Sequence, residues 1–198
     1  MSYWWDIIYK YRYKQGKRIE DIRIEQQELK KFSWKKIDAY IEKEFCSEEH
    51  RAWSYIDRPL NESELKSIAS NPLVSIGNHT HRHAILTNYT KDEIIKEISS
   101  CNEYVAEKTG TEPISIAFPN GNFNENTLTI AQETGMRVAF TTQNHINAIP
   151  INNDKIICLG RFMAKTEKIR KYGSFMRLGY NSENLYNKFK KGINNLIK

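Results

Sequence analysis

Long hydrophobic runs are missing from this sequence of 198 residues, in which hydrophobic residues make up 39% and charged residues 27%. The apolar stretches extend over a few residues only, whereas a membrane-spanning helix needs about 20. We therefore expect no membrane span. The N-terminal stretch reaches Asp6 too early to form the apolar core of a signal peptide. The composition is that of a globular protein and is too apolar for a disordered chain.

Cysteine is also scarce. The sequence has three cysteines, Cys46, Cys101 and Cys158, which is an odd number and shows no Cys-x-x-Cys spacing. This pattern argues against a disulfide framework and favours a reducing compartment. We therefore expect the protein to be cytoplasmic.

Acidic residues are outnumbered, and the net charge is +6. Much of the excess lies in residues 164–198, which read as a basic helical tail. Such a tail can bind an anionic partner or can be a solvated helix face, and the second interpretation is the more common one. Because the sequence has no recognised nucleic-acid-binding motif, we expect no nucleic-acid partner.

Residues 1–72 form a first segment that is predicted to be mostly helical. The stretch "WWDIIYKYRYK" has apolar residues at helical spacing. Pro59 marks a turn. Asn61 and Glu64 stand three residues apart, the spacing of a capping box at the start of a helix.

Strand and helix patterns alternate over residues 73–163, which form the second segment. The predicted strands are "LVSIG" (73–77), "ISIAF" (114–118), "RVAFTT" (137–142) and "KIICLGRF" (155–162). Helices are predicted between them, one starting at Thr90 with Glu93 in capping-box spacing. This order predicts an α/β fold with parallel strands and helical crossovers. The ends of such strands meet at one rim, where "NHTHRH", "PNGNF" and "TTQNH" would converge.

Three of the five histidines lie within five residues, in "NHTHRH". His79 and His83 are four apart, so both imidazoles can reach one metal ion from a single turn of chain. His81, between them, would point elsewhere. Thr80 stands where a zincin metalloprotease has glutamate, which excludes that class. The position at a strand end favours a metal site over a chance pairing.

The order of these motifs resembles the polysaccharide deacetylases, also called the NodB-homology or carbohydrate esterase 4 group. "VSIGNHTHRHAIL" is similar to their His-Ser/Thr-x-x-His motif, and "SIAFPNGNF" to their Phe-Ala-Tyr-Pro-Tyr-Gly segment, with Asn120 in place of the second aromatic residue. "LGRF" (159–162) resembles a later "LPR-I" strand, with Gly160 replacing proline. The resemblance extends over most of the chain.

The resemblance implies an incomplete or distorted (β/α) barrel of NodB type, preceded by the helical segment. It implies metal-dependent hydrolysis of N-acetyl groups on a glycan or glycan precursor. A water activated by the metal attacks the acetyl carbonyl, and a backbone N–H stabilises the oxyanion. The metal would be zinc, with cobalt or nickel as alternatives. By residue match, the implied roles are metal ligation by His79 and His83, oxyanion binding by the backbone of Asn120, acid/base chemistry by His145, and substrate binding by Thr80, Pro119, Gly121 and Arg161.

The family's first motif, an Asp-Asp pair that supplies the third ligand and the base, has no equivalent here, since no two aspartates are adjacent. Three explanations stay open. The chain is a truncated or split product whose N-terminal part lies on another polypeptide, or it is a degenerate homologue that binds a glycan or partner without turnover, or another carboxylate has taken over. We favour the first two. The open sheet edge would be covered by residues 1–72, by a missing N-terminal chain or by a second copy in a homo-oligomer.

Four tryptophans allow two interpretations. Trp4, Trp5, Trp34 and Trp53 can stack on sugar rings, or they can pack in the core, which is the more common use of tryptophan.

Overall fold

The structure, a computed structural model, describes residues 2–46, 50–55, 58–147 and 155–162. The helix predicted at the C-terminus lies outside the described residues. Short 3₁₀ turns occur at Leu86–Asn88 and Pro119–Gly121. The helices and strands, in chain order, are α1 Trp4–Lys14, α2 Ile19–Leu29, α3 Trp34–Glu44, α4 Glu62–Ala69, α5 Lys91–Thr109, β1 Ser115–Ala117, α6 Glu125–Glu133, β2 Val138–Phe140 and β3 Ile157–Leu159.

Helices α1–α3 pack around a hydrophobic cluster of their own. Apolar side chains recur at helical spacing and meet in its centre, among them Ile8, Ile22 and Ile41. The helical prediction for this part of the chain is confirmed. We call α1–α3 the helical unit.

The three strands form a parallel sheet in the order β1-β2-β3. A second hydrophobic cluster fills the space between this sheet and its helices, with Ile98 of α5, Ile116 of β1 and Ile130 of α6 all buried. Thr90 and Glu93 form the predicted capping box of α5, and Gly110 ends that helix with a φ of 73°. The predicted α/β class with parallel strands is confirmed, and the described sheet is open. The segment boundaries at residues 72 and 163 stay predictions.

The strand predicted at residues 73–77 is wrong. Leu73 is 92% exposed, and its N–H is held in a turn by the Asn71 side chain. Pairing is limited to an isolated bridge in which Asn78 donates to Ser115 and accepts from Ala117. Most residues of the run 73–77 are exposed and cover no hydrophobic surface, so the run lacks the packing that stabilises a strand. The other strands lie inside their predicted ranges but are shorter.

None of the helices within the described ranges combines the length and the apolar character that crossing a membrane requires.

Candidate metal and substrate site

The histidine loop, residues 78–84, is held in place by the buried side chain of Asn78 at its start. Asn78 is 1% exposed. Its side-chain oxygen accepts from the Thr80 N–H at 2.7 Å, and its amide group donates to the Ile98 carbonyl of α5 at 2.9 Å. The buried carboxylate of Glu97 accepts from the Arg82 N–H at 3.0 Å. These bonds tie both ends of the histidine loop to α5.

Thr80 is buried within this loop. Its hydroxyl accepts from the Ala84 N–H at 2.8 Å, and its φ is 64°. His83 also has a positive φ, of 55°. A positive φ is uncommon for residues other than glycine and costs energy, so the surrounding hydrogen bonds must hold the loop in this shape. In this position the buried Thr80 side chain orients the loop, and its role in substrate binding stays a prediction.

The rings of His79 and His83 lie side by side, with centroids 4.8 Å apart and planes at 78°. His79 is exposed, and its Nδ1–H donates to the Ala117 carbonyl at the end of β1. The lone pair of its Nε2 is then available. A metal-ligating histidine usually donates its other ring N–H to a carbonyl or carboxylate in this way.

His83 is half-buried, and its ring lies 4.7 Å from that of Trp5, centroid to centroid. Burial, together with the neighbouring His79, lowers the pKa of His83 to about 4. The imidazole is therefore neutral near pH 7, as a metal ligand must be. The donor set thus fits part of a site for zinc or a similar divalent ion.

Among the residues that the structure describes, no third protein ligand joins His79 and His83. Within residues 2–46, 50–55, 58–147 and 155–162, no group of three or more histidine, cysteine or acidic side chains is arranged to hold a metal ion. Asp38 of α3 lines a cavity together with His83, but it does not complete such a group. The described residues provide a two-histidine half-site.

The turn Pro119–Gly121 begins two residues after the end of β1 and so lies next to the strand end that holds His79. Pro119 is buried, and Asn120 has a φ of 60°. A β-carbon at Gly121, whose φ is 76°, would meet the Thr142 side chain at 2.4 Å, so only glycine fits there. The turn therefore packs against the end of β2, at the rim where the histidines lie.

His145 and Arg161 lie elsewhere. His145 lines a second cavity, beside α6 and β3, where its ring packs against Gly160. Arg161 follows β3, and its guanidinium Nε–H donates to the Thr141 carbonyl at 2.8 Å. The structure does not bring either residue to the cavity that contains His83, and their predicted roles remain predictions.

Sequence reasoning missed the cavity that adjoins His83. Its volume is about 340 Å³, and it lies between the helical unit and the histidine loop. Asn78 could have been noticed, because it stands between the apolar run and His79. The cavity itself had no local signal. Its lining residues are Trp4, Trp5, Gln26, Lys30, Phe32, Trp34, Ile37, Asp38, Arg82, His83, Ala84, Ile85, Tyr89 and Asn120.

Comparison with solved structures finds similar proteins at low sequence identity, among them two deacetylases. IcaB from Ammonifex degensii is 16% identical, with a TM-score of 0.52 over 63% of this chain and 55% of its own. The deacetylase PplD from Streptococcus pyogenes, solved with acetate, is 24% identical, with a TM-score of 0.46 over 52% of this chain and 43% of its own. A polysaccharide deacetylase from Bacillus cereus is 18% identical, with a TM-score of 0.48 over 64% of this chain and 42% of its own. The chain thus spans about half the length of these proteins.

No curated protein matches the sequence. The likeness to IcaB shows a shared fold. A family model adds the evidence of sequence: the one described as polysaccharide deacetylase matches residues 19–139, which include α2 and α3, the histidine loop and the turn after β1. With more than half of its length matched in this way, the chain belongs to the polysaccharide deacetylase family.

Proposed function

We propose that this chain binds a divalent metal ion, zinc in the first place, through His79 and His83, and that the site serves the hydrolysis of N-acetyl groups on a glycan. The observation that carries the proposal is the histidine pair itself. The two rings are 4.8 Å apart, the Nδ1–H of His79 is held by a backbone carbonyl, and His83 is neutral. A bound divalent ion would polarise the acetyl carbonyl and activate water.

The residues of the chain contribute binding and orientation. The carbonyl of Ala117 fixes the tautomer of His79, so the lone pair of Nε2 would be available to the ion. The backbone N–H of Asn120 would be the donor to the developing oxyanion, because the N–H groups of Gly121 and Asn122 donate to carbonyls within the turn. A carboxylate has to complete the ligand set and serve as the base, and we propose that it comes from outside residues 2–46, 50–55, 58–147 and 155–162.

Metal content tests the first half of the proposal. The protein is purified without chelators or a histidine tag, dialysed against micromolar zinc and analysed by mass spectrometry beside the double variant His79→Ala/His83→Ala. We expect zinc in the wild type and its loss in the double variant. The matched control is His81→Ala, since His81 is an exposed histidine of the same loop and should keep the zinc. Zinc at the same level in wild type and double variant would overturn the proposal.

Acetate release tests the second half. Oligomers of N-acetylglucosamine are incubated with the zinc-loaded protein, with and without formate as a small carboxylate that can occupy the missing ligand position. We expect acetate release that depends on formate and on His79. If the protein holds stoichiometric zinc but releases no acetate under any of these conditions, the proposal that this chain catalyses hydrolysis is contradicted.

A second function, a non-catalytic glycan-binding homologue, is favoured by one observation: within the described ranges the histidine pair lacks a carboxylate partner. It predicts that oligosaccharide binding is unchanged when His79 is replaced by alanine and zinc is removed. Binding that requires zinc would argue against it.

A further inference from the structure

We propose that Asn78 is a positioning residue of the metal half-site. Its side chain takes the Thr80 N–H away from the pairing with β1, and this leaves the Ala117 carbonyl to His79. The inference rests on the proposed function, because it takes His79 to be a metal ligand. It adds a residue that acts on the ion only through His79.

Parallel pairing between the histidine loop and β1 occurs at Asn78. The Asn78 N–H donates to the Ser115 carbonyl at 2.7 Å, and the Ala117 N–H donates to the Asn78 carbonyl at 2.9 Å. In a parallel ladder the bonds are evenly spaced, and every second residue of a strand repeats this pattern. The next bond of the ladder would therefore run from the Thr80 N–H to the Ala117 carbonyl.

The Asn78 side chain prevents that next bond. Its Oδ1 accepts from the Thr80 N–H at 2.7 Å, which is the local turn that an asparagine forms with the backbone two residues on. Thr80 has a φ of 64°, so the chain leaves the extended conformation there. Pro119, which would donate to the Thr80 carbonyl in a longer ladder, has no N–H. The pairing therefore ends at Asn78.

The carbonyl that is left over holds the histidine. Ala117 is the last residue of β1, and its carbonyl accepts from the Nδ1–H of His79. Because a carbonyl can only accept, this bond requires the proton on Nδ1 and leaves the lone pair on Nε2. If the Thr80 N–H took the carbonyl, His79 would lose the partner that selects this tautomer. Asn78 thus determines which donor the Ala117 carbonyl receives.

The orientation of the Asn78 amide is fixed by α5. Its NH₂ group donates to the Ile98 carbonyl at 2.9 Å and to the Asn102 side-chain oxygen at 2.7 Å. Because the Ile98 carbonyl can only accept, the NH₂ group must face α5 and Oδ1 must face the Thr80 N–H. Asn78 is buried, so a rotated amide would leave polar groups without partners, which is costly. Helix α5 therefore holds the acceptor in place for Thr80.

The first measurement is the tautomer of His79 in the metal-free protein. Imidazole nitrogen chemical shifts report it by NMR at about pH 8, where an ordinary imidazole is neutral. We expect the Nδ1–H form in the wild type and a substantial Nε2–H fraction in Asn78→Ala. Asn78→Ser should keep the Nδ1–H form, because a serine hydroxyl also accepts from the N–H two residues on. Wild-type shifts in Asn78→Ala would overturn the inference, and so would loss of the Nδ1–H form in Asn78→Ser.

Zinc affinity, measured by competition with a zinc indicator dye, is the second readout. Residues that orient a metal ligand typically change metal affinity about 10–100-fold, so Asn78→Ala should weaken zinc binding about tenfold or more. The matched control is Asn102→Ala, which removes a bond of the same buried amide on its α5 side. It should lower the urea midpoint and leave the tautomer and the zinc affinity unchanged. Equal losses of zinc affinity in the two variants would overturn the inference, because they would come from lost stability.

The inference and the proposed function fail separately. If the wild type binds no zinc, the proposed function fails, and the tautomers in wild type and Asn78→Ala still decide whether Asn78 positions His79. If wild type and Asn78→Ala bind zinc with the same affinity, the inference fails and the proposed function stands.

Discussion

At the scale of single residues, the environment of His83 determines the protonation state of its imidazole. The ring is half-buried between Trp5 and His79, and this burial holds its pKa at about 4, below the ordinary 6.5. A proton therefore binds more readily in the unfolded state than in the folded one. Stability is unaffected by this group above about pH 6.5 and falls as the pH drops from there toward 4.

Trp5→Ala should raise the pKa of His83 from about 4 toward 6.5, because it removes the ring that buries the imidazole. The measurement is an NMR titration of the His83 ring protons in metal-free protein. Trp53→Ala serves as the control, since Trp53 makes its ring contact with Lys10 instead. A wild-type midpoint near 6.5 would contradict the structure.

At the scale of elements, one charged network joins the three helices of the helical unit. Arg12 of α1 donates to both carboxylate oxygens of Glu25 of α2, with Nη2 2.9 Å from Oε1, and Tyr40 of α3 donates to the same Oε1 at 2.7 Å. Burial by itself would raise the pKa of Glu25, but the hydrogen bonds from Arg12 and Tyr40 outweigh it and lower that pKa. The stabilisation is present above the ordinary pKa of 4.5 and is lost as the pH falls through the lowered one.

Glu25→Gln should therefore lower the free energy of unfolding by about 1–2 kcal/mol at pH 7 and weaken its dependence on acid pH. Denaturant unfolding at several pH values from about 3 to about 7, which lie below and above the ordinary pKa of a glutamate, measures the loss of stability and its pH dependence. Glu28→Gln is the matched control, because its ion pair with Lys31 is exposed and should contribute less than about 0.5 kcal/mol. Equal losses in the two variants would mean that the network adds nothing beyond a surface ion pair.

The sequence predicted the elements better than it predicted the site. The capping pairs Asn61/Glu64 and Thr90/Glu93 each lie close together in the sequence. They therefore determine where a helix begins independently of the tertiary structure. The strand at residues 73–77 failed because apolar character alone cannot show whether a run meets a partner surface. The cavity was beyond prediction, since it depends on contacts such as Trp34 with Arg82, which are distant in the sequence.

At the scale of the whole molecule, the helical unit is held against the histidine loop by a few specific contacts. The N–H of Trp34, at the start of α3, donates to the Tyr89 hydroxyl at 2.6 Å. The Asn88 side chain donates to the Lys30 carbonyl at 2.8 Å. These bonds connect the end of α2 and the start of α3 to the segment just before α5.

Tyr89→Phe should loosen this connection, because the Trp34 N–H loses its acceptor at a cost of about 1 kcal/mol. Hydrogen exchange followed by mass spectrometry should then be faster at the start of α3 and unchanged in α5. The control is Tyr104→Phe, a tyrosine on α5 that is 44% exposed. Unaltered exchange in α3 would show that the hydroxyl contributes nothing to the contact.

The helical unit and the sheet are built around separate hydrophobic clusters. A substitution in the centre of the helical unit can therefore change its packing without disturbing the core of the sheet. In evolutionary terms, the two parts of the same gene can accept substitutions at different rates. The residues that cover His83, such as Trp5, can accordingly change while the sheet stays as it is.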